Sequence, residues 1–356
     1  MLLFDGHLDL SMNAIDWNRD LNLGVYDLRA GEASMAGKGR AKGTVTLPEL
    51  RRAEVGLCMA TVIKRTARPA TDVPGFPGAA SQEVSYGWAQ GQLAYYRVLE
   101  AAGKVRMIAD REALDEHVSG WLQDSASQPL GFILAMEGAD PVVWPAQAES
   151  WWADGLRVVG PAHYGVSGYA HGTSTEGGFT AQGRELLRIM DGLGMILDLS
   201  HLAEQAFWEA LDLFRGHLLA SHNNCRALVP GDRQFSDEQL RAIFARGGVI
   251  GAVLDAWMLY PGWVRGETTP AQAGVTLEAV VDHIDHVCQL AGNADHAAIG
   301  SDLDGGYGTE QTPMDLDTIY DLQRVPGMLR ARGYTEADVE KIMYRNWVDL
   351  FRRAWS

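Results

Sequence analysis

The sequence is poor in cysteine, in positive charge and in long apolar runs, and each shortage excludes a class of protein. Its 356 residues include three cysteines, Cys58, Cys225 and Cys288, with no Cys-x-x-Cys spacing. This pattern excludes a disulfide framework and a zinc ribbon, and it favours a reducing compartment. We therefore expect a cytoplasmic protein, in which Cys225 is a buried thiol rather than a nucleophile.

Positive charge is scarce, because 30 Lys and Arg residues stand against 46 Asp and Glu and the formal net charge is −16. Nucleic acids and anionic lipids are bound through basic surfaces, so we expect neither as a partner. The longest nearly apolar stretch, residues 247–264, is interrupted by Asp255 and Pro261 and is unsuited to span a membrane. The first segment, MLLFDGHLDL, has no basic residue ahead of its apolar ones. We therefore expect neither a secretory leader nor a membrane anchor.

Short apolar runs alternate with amphipathic stretches along the chain. The runs predict eight strands covered on both faces, at residues 2–7, 55–63, 131–136, 156–161, 195–199, 217–220, 248–254 and 297–300. The stretches predict helices at residues 81–102, 181–193, 203–214, 236–246 and 276–291, and two further helices within 314–355. This alternation predicts one domain over residues 1–356, an α/β (β/α)8 TIM barrel with extra C-terminal helices. A doubly wound open sheet is the alternative, but no Gly-x-Gly-x-x-Gly follows the first predicted strand.

Long connections follow four of the predicted strands, at residues 11–46, 64–80, 164–178 and 255–273. They leave the carboxyl ends of those strands, which is where barrel enzymes build their active sites. We therefore expect long loops over one face of the barrel and a functional site beneath them.

Ionisable side chains fall at the ends of the predicted strands, and they are His7, Asp9, Glu137, His163, His201, His222 and Asp302. A lone histidine at a strand end is usually structural, and an acidic residue there often caps the next helix. Several such residues that face one place have a different meaning from a single one. Residues two apart in a strand share a face, so His7 and Asp9 point the same way. Glu137 ends an apolar strand, where an unpaired carboxylate is costly to bury. The pattern predicts a bound cation.

The number of ligands favours two metal ions. Three histidines, one Asp and one Glu exceed what one tetrahedral zinc with an open position needs, but they suffice for two ions if a carboxylate bridges them. Some barrel hydrolases bridge their ions with a carbamylated lysine, yet no lysine lies at the ends of the third to fifth predicted strands. Glu137 remains the candidate for the bridge.

These residues lie in the motifs DGHLDL, MEGAD, DLSH, SHNNCRAL and DHIDHVCQLAGNADHAAIGSDLDG, followed by NWVDLF near the C-terminus. In this order they resemble the membrane (renal) dipeptidase family of zinc peptidases, which are (β/α)8 barrels of the amidohydrolase superfamily. His-x-Asp on the first strand, in place of the more widespread His-x-His, together with Glu on the third, is specific to that family. The chain departs from the family pattern at Leu8 and Ser11, at residues 57–61, and in several loops.

The resemblance implies a ligand set and three further roles. His7, Asp9 and Glu137 would hold one zinc ion, and Glu137, His201 and His222 the second. Asp302 would be the acid/base that takes a proton from bridging water and returns it to the leaving amine. His163 would stabilise the oxyanion of the tetrahedral intermediate, and Arg233 would bind the carboxylate of a small peptide substrate. From the residues alone, Arg233 could also be a surface residue of a turn, and Asp304 is expected to cap or orient its loop.

The resemblance also implies an activity, namely metal-dependent hydrolysis of dipeptides, including L-Xaa-D-Xaa, by a homodimer. One alternative is hydrolysis of another small amide, such as an N-acyl amino acid or a lactam. Another is a catalytically inactive relative that only binds metal or ligand, although an inactive relative would most cheaply lose Asp302.

Overall fold

The computed structural model describes residues 1–67 and 78–356 of the chain. Within these residues the strands are β1 (Leu3–Leu8), β2 (Val55–Val62), β3 (Val105–Met107), β4 (Leu130–Glu137), β5 (Leu156–Gly160), β6 (Ile196–Asp198), β7 (Leu218–Leu219), β8 (Ile250–Ala252) and β9 (Ala297–Ile299). The helices are α1 (Leu10–Ile15), α2 (Val25–Gly31), α3 (Leu47–Arg52), α4 (Gln82–Ala101), α5 (Arg111–Gln123), α6 (Ala148–Ala153), α7 (Ala181–Leu193), α8 (Glu204–Leu213), α9 (Asp237–Ala245), α10 (Pro270–Ala273), α11 (Leu277–Ala291), α12 (Val325–Ala331), α13 (Glu336–Glu340) and α14 (Asn346–Ala354).

The strands form a parallel barrel. They are hydrogen-bonded in the order β7-β6-β5-β4-β2-β1-β9-β8, and Ala220, just after β7, pairs with Ile250 in β8 and closes the ring. All eight predicted strands are present, so the predicted (β/α)8 barrel is confirmed. None of the helices in the described residues is long and apolar enough to cross a membrane.

Strand β3 was not predicted from the sequence. It pairs with the first half of β4, where Val105 lies opposite Leu130 and Met107 opposite Phe132. Further along, the same edge of β4 pairs with β5, so β3 extends the sheet below the barrel mouth. Three residues are too few to show an apolar pattern, and this strand is defined by its partner.

The predicted helices are confirmed as α4, α7, α8, α9 and α11. Ser81 caps α4 by accepting a hydrogen bond from Val84 N, and Ser236 forms a capping box with Gln239 at the start of α9. The two expected C-terminal helices are α12 and a run from α13 through a π-helical turn, Lys341–Arg345, to α14.

Helix α14 packs beside the first and last strands of the barrel. Trp347 is fully buried and donates a hydrogen bond from Nε1 to the carbonyl of Ile299 in β9, at 2.9 Å. Phe351 stacks on Phe4 of β1, with 5.8 Å between ring centroids. The C-terminal helices therefore join the two ends of the chain across the β1–β9 seam.

The connection at 11–46 is not a plain loop, as the sequence pattern suggested, because it contains α2 and most of α1. The connection at 164–178 is ordered by isolated bridges between Tyr164 and Thr173 and between Val166 and His171. Of the connection predicted at 64–80, residues 68–77 lie outside the described residues.

Three glycines let the strands approach the end of β7. A Cβ atom added at Gly300 would lie 1.8 Å from the carbonyl oxygen of Ser221, one at Gly251 would lie 2.1 Å from it, and one at Gly6 would lie 2.7 Å from it. Backbone cannot move aside as a flexible side chain can, so these positions need glycine. The close approach sets the position of Ser221 and of the residue that follows it, His222.

We expect Gly300→Ala to lower the free energy of unfolding by about 3 kcal/mol or more, because the added methyl group overpacks the barrel interior. Gly87→Ala is the matched control, since Gly87 lies in α4 with nothing within 4 Å of its added Cβ. That change should be neutral or stabilise by about 0.5–1 kcal/mol. Urea unfolding followed by tryptophan fluorescence measures both, and equal effects would contradict this account of the barrel interior.

Candidate metal centre and active site

The side chains expected to bind metal lie together at the carboxyl ends of the barrel strands. Three groups have ligand atoms within 4.8 Å of one another, namely His7, Asp9 and Glu137; Glu137, His201 and His222; and His7, His222 and Asp302. His7 lies in β1, Glu137 is the last residue of β4, and the others follow β1, β6, β7 and β9. The fold thus brings together residues that are up to 295 positions apart in the sequence.

Glu137 lies at the centre of this cluster and faces both metal-ligand groups. Its Oε1 is 3.2 Å from Nε2 of His201 and 3.3 Å from Nε2 of His222. Its Oε2 is 3.6 Å from Nε2 of His7. One oxygen of the Glu137 carboxylate therefore faces His201 and His222, and the other faces His7. A carboxylate that bridges two metal ions needs this geometry.

The histidines present the nitrogen that a metal would take. Ser221 Oγ lies 2.8 Å from Nδ1 of His222 and 3.3 Å from Nδ1 of His7, and Thr173 Oγ1 lies 3.0 Å from Nδ1 of His201. With Nδ1 engaged, each ring turns Nε2 to the centre, as in metal sites whose ligands are oriented by hydrogen bonds. Nε2 of His7 is buried and has no hydrogen-bond partner among the described residues.

The remaining ligand, Asp9, is oriented in the same way. Thr61 Oγ1, in β2, donates a hydrogen bond to Oδ1 of Asp9. Imidazole nitrogens and carboxylate oxygens in this number and arrangement fit a pair of divalent ions. The roles of Thr61, Thr173 and Ser221 were not predicted from the sequence, because a hydroxyl that orients a ligand has no spacing signature of its own.

The buried carboxylates repel one another. Burial, followed by the neighbouring carboxylates Asp9 and Glu137, raises the pKa of Asp302 well above its ordinary value, although His7 opposes this. Burial and Glu137 also raise the pKa of Asp9, to about 6. A divalent cation between these groups would relieve the repulsion and favour the ionised forms.

The histidines respond to the same charges. Burial lowers the pKa of both His201 and His222 well below the ordinary value, so they are neutral and able to bind metal. Burial also lowers the pKa of His7, but the carboxylates of Glu137, Asp9 and Asp302 outweigh it and raise the value to about 10. A proton on His7 thus balances part of the negative charge of these carboxylates, as a metal cation at the same place would.

Asp302 projects from a strained turn at the end of β9. Its φ is +56°, its backbone N–H donates to the carbonyl of His7 at 3.2 Å, and its Oδ1 lies 3.8 Å from Nε2 of His7. Left-handed backbone at a non-glycine residue is costly and concentrates at functional sites. The turn holds the Asp302 carboxylate next to the metal-ligand residues. Asp302 belongs to neither of the two groups that contain Glu137.

Arg233 is buried, with 2% of its surface exposed, which corrects the alternative that it lies on the surface. Its Nη2 donates to the carbonyl of His222 at 3.0 Å, whereas its Nη1 is buried without a hydrogen-bond partner among the described residues. His163 has Nε2 3.6 Å from Oε1 of Glu137, and burial lowers its pKa to about 3. Both side chains line the same cavity as the metal-ligand groups.

This cavity, called the pocket below, is open at its mouth, and about 660 Å³ of empty space lies within it and in the solvent at its mouth. It is lined by Asp9, Met12, Lys38, Ile63, Glu137, His163, Tyr164, His201, Arg233, Asp255, Met258, Arg265, Asp302, Gly305, Gly306, Tyr307 and Gln311. Its lining combines apolar side chains with several charged ones, which suits a small polar molecule.

A second charge cluster supports the pocket, and its centre is Arg19. Arg19 is buried and uses all five N–H groups, which donate to both oxygens of Glu32, to Gly39 O, to Asn13 Oδ1 at 2.8 Å and to Asp304 Oδ2 at 3.5 Å. Asn13 Nδ2 in turn donates to the carbonyls of Asp9 and Asp304, each at 3.0 Å. These contacts join the connection at 11–46 to the Asp302 turn.

Other residues have the structural roles expected from the sequence. Asp304 accepts hydrogen bonds from Thr44 and Val45 and so orients its loop. Cys225 is a buried free thiol, and its backbone N–H donates to Nδ1 of His283 at 3.0 Å. None of these groups extends into the pocket.

This site on a (β/α)8 barrel is that of a metal-dependent hydrolase. The model of the membrane dipeptidase family, peptidase family M19, matches residues 1–355, and the chain belongs to this family of metallopeptidases. The resemblance noted in the motifs is therefore confirmed.

Two individual relatives are similar to this chain in sequence. A Klebsiella pneumoniae protein described as "Uncharacterized protein in pqqA 5'region" is 31% identical over 296 residues, which are 80% of this chain and 99% of that protein. Dipeptidase tcpJ of Claviceps purpurea (strain 20.1) is 33% identical over 205 residues, which are 56% of this chain and 44% of that longer protein.

Solved structures share the fold. A metallo peptidase from Rhodobacter sphaeroides, liganded with a phosphinate mimic of the dipeptide L-Ala-D-Ala, is 24% identical with a TM-score of 0.77, and the match covers 100% of this chain and 99% of that one. The probable dipeptidase PvdM from Pseudomonas aeruginosa is 19% identical with a TM-score of 0.76, over 100% and 96% of the two chains.

We expect Arg19→Met to lower the free energy of unfolding by about 3–5 kcal/mol, because it leaves the buried carboxylate of Asp304 without its cation and Glu32 with Arg40 alone. Arg97→Met is the control, since it removes a half-exposed pair with Asp154 and should change stability by less than about 1 kcal/mol. Urea unfolding measures both, and a similar small loss for the two variants would refute the supporting role of Arg19.

Proposed function

We propose that this protein hydrolyses dipeptides with the aid of two divalent metal ions, most simply zinc. The observation that carries the proposal is the position of Glu137, whose Oε1 faces His201 and His222 while its Oε2 faces His7. His7, Asp9 and Glu137 would hold one ion, and Glu137, His201 and His222 the other. When bound, the ions would polarise the scissile carbonyl and lower the pKa of a water molecule.

Asp302 is the proposed acid/base. It lines the pocket next to the metal-ligand groups, and its side chain is 16% exposed, so it is accessible to substrate. In this role its carboxylate accepts the proton of the attacking water and then donates it to the amine of the departing residue. The transfer needs one group in two protonation states, which a carboxylate surrounded by other charges can provide.

Arg233 and His163 would bind and orient the substrate. The unpartnered Nη1 of Arg233 is a buried donor that needs an acceptor, and the C-terminal carboxylate of a dipeptide supplies one with charge. His163 is neutral and close to Glu137, so a proton on its ring could be donated to the oxygen that gains charge during attack.

Three further properties belong to the proposal. A structural relative binds a mimic of L-Ala-D-Ala, and we extend the proposed substrates of this chain to L-Xaa-D-Xaa dipeptides. The three cysteines are buried and free, which is consistent with a cytoplasmic enzyme. Assembly as a homodimer stays a prediction.

Metal analysis and one ligand substitution test the metal centre. We expect the purified protein to bind about two zinc ions per chain and to lose dipeptide hydrolysis on chelation. His201→Ala should lower both the metal content and the turnover, because it removes a ligand of the second group. The control His286→Ala removes a half-buried histidine that pairs with Asp237 outside the pocket, and it should change neither. Fewer than one ion per wild-type chain, or normal turnover of His201→Ala, would overturn the mechanism.

A pair of substrates tests the role of Arg233. Arg233→Ala should lower kcat/KM for Ala-Ala by about 10- to 100-fold, the value of one charge-assisted hydrogen bond. The C-terminal amide of Ala-Ala lacks the carboxylate, so the same variant should hydrolyse it as poorly as wild type does. Arg241→Ala, on the exposed face of α9, serves as a control without effect. Equal losses on both substrates would show that Arg233 does not bind the carboxylate.

A further inference from the structure

Two more cations line the pocket without a role in the mechanism. They are Lys38, in the connection after β1, and Arg265, in the connection after β8. Arg233 is already assigned to the substrate's terminal carboxylate, and the metal-ligand groups account for Asp9 and Glu137. Lys38 and Arg265 are therefore available for a different part of the substrate.

Arg265 is held in place by aromatic side chains. Its Nη2 donates to Tyr164 Oη at 2.7 Å, and its guanidinium carbon lies 4.2 Å from the ring centroid of Trp257. One N–H group out of five is used in this way, and no carboxylate lies within 4.0 Å of the guanidinium in the part of the chain that the structure describes. Stacking fixes the plane of the guanidinium and leaves its other donors free for a ligand.

The backbone next to Lys38 is fixed by a hydrogen bond. Its neighbour Gly39 has φ +71° and offers its carbonyl to Arg19 Nη2 at 2.7 Å, so the Arg19 cluster holds this segment over the pocket. The ammonium of Lys38 lies 6.0 Å from the ring centroid of Tyr307, and among the described residues it has neither a hydrogen bond nor an ion pair within 4.0 Å.

The neighbouring carboxylates do not pair with Lys38 or Arg265. Asp255 lines the pocket and is buried, but its Oδ1 already accepts hydrogen bonds from Gln311 Nε2 at 2.7 Å and Trp257 N at 3.4 Å. Glu310 also acts on Lys38, but it does not line the pocket. Asp302, the proposed acid/base, also lines the pocket and attracts both cations, but among the described residues neither Asp255 nor Asp302 forms an ion pair within 4.0 Å with Lys38 or Arg265.

We propose that Lys38 and Arg265 form an anion subsite that selects dipeptides with an acidic side chain. This inference rests on the proposed function, because a simple dipeptide has one carboxylate for Arg233 and an Asp or Glu residue adds a second. Charge complementarity of this kind sets specificity more than overall affinity. Both cations are exposed, so we expect a modest preference for acid over amide, about tenfold.

Matched substrates isolate the charge. We would measure kcat/KM for Glu-Ala against Gln-Ala and for Ala-Glu against Ala-Gln, because each pair differs by one charge at nearly constant shape. Wild type should prefer the acid about tenfold in one of the two pairs, which identifies the residue that the subsite contacts, and the difference should lie mainly in KM.

Substitutions connect the preference to the two residues. Lys38→Met and Arg265→Gln should each reduce the acid-to-amide ratio, and the double variant should bring it close to one while hydrolysis of Ala-Ala is retained. Arg265→Glu should reverse the preference. Lys42→Met is the matched control, since Lys42 is an exposed lysine of the same segment that does not line the pocket, and it should keep the wild-type ratio.

The outcomes separate this inference from the proposed function. If wild type hydrolyses dipeptides with equal kcat/KM for acid and amide in both pairs, or if the double variant keeps the preference, the subsite is refuted and the dipeptidase assignment stands. If no dipeptide is hydrolysed, the proposed function fails, and calorimetric titration with both acid and amide pairs decides the subsite separately. Equal affinities within both pairs would then refute it as well.

Discussion

The structure depends on the compensation of one buried carboxylate. Glu137 ends a fully apolar strand at the centre of the barrel mouth, and Nε2 atoms of His7, His163, His201 and His222 lie within 3.6 Å of its oxygens. A buried charge is tolerated only when it is paired or binds a cation. Four strand ends are therefore constrained by the same carboxylate, and the glycines around the Ser221 carbonyl allow the backbone to meet that constraint.

The polar and charged groups that support the site from further out are also buried with a partner. Thr61, Thr173 and Ser221 hydrogen-bond the groups that face Glu137, and further out Arg19 compensates the buried carboxylates of Glu32 and Asp304. Arg19 also donates a hydrogen bond to the carbonyl of Gly39, the neighbour of Lys38. The Arg19 cluster that orients the Asp302 turn therefore also positions Lys38 at the pocket. The proposed acid/base and the proposed anion subsite are thus linked through one set of buried ion pairs.

Sequence patterns predicted most of the fold but not its short or non-local parts. Continuous apolar runs and amphipathic stretches predicted eight strands and five barrel helices, because their periodicity is local. Strand β3 was missed, since its three residues are defined only by pairing with β4. Helices α1 and α2 were taken for a loop, since their six and seven residues show too little periodicity to predict a helix.

For the site, the sequence by itself determined the residue types and their order: His-x-Asp, Glu, and single histidines at successive strand ends, which in a parallel barrel must meet at one rim. Only the tertiary structure decided which oxygen of Glu137 faces which histidine, that Arg233 is buried with Nη1 free, and that Arg19 lies at the centre of a second charge cluster. The physical reason is that these distances join residues up to 285 positions apart, and they are set by closure of the barrel rather than by local pattern.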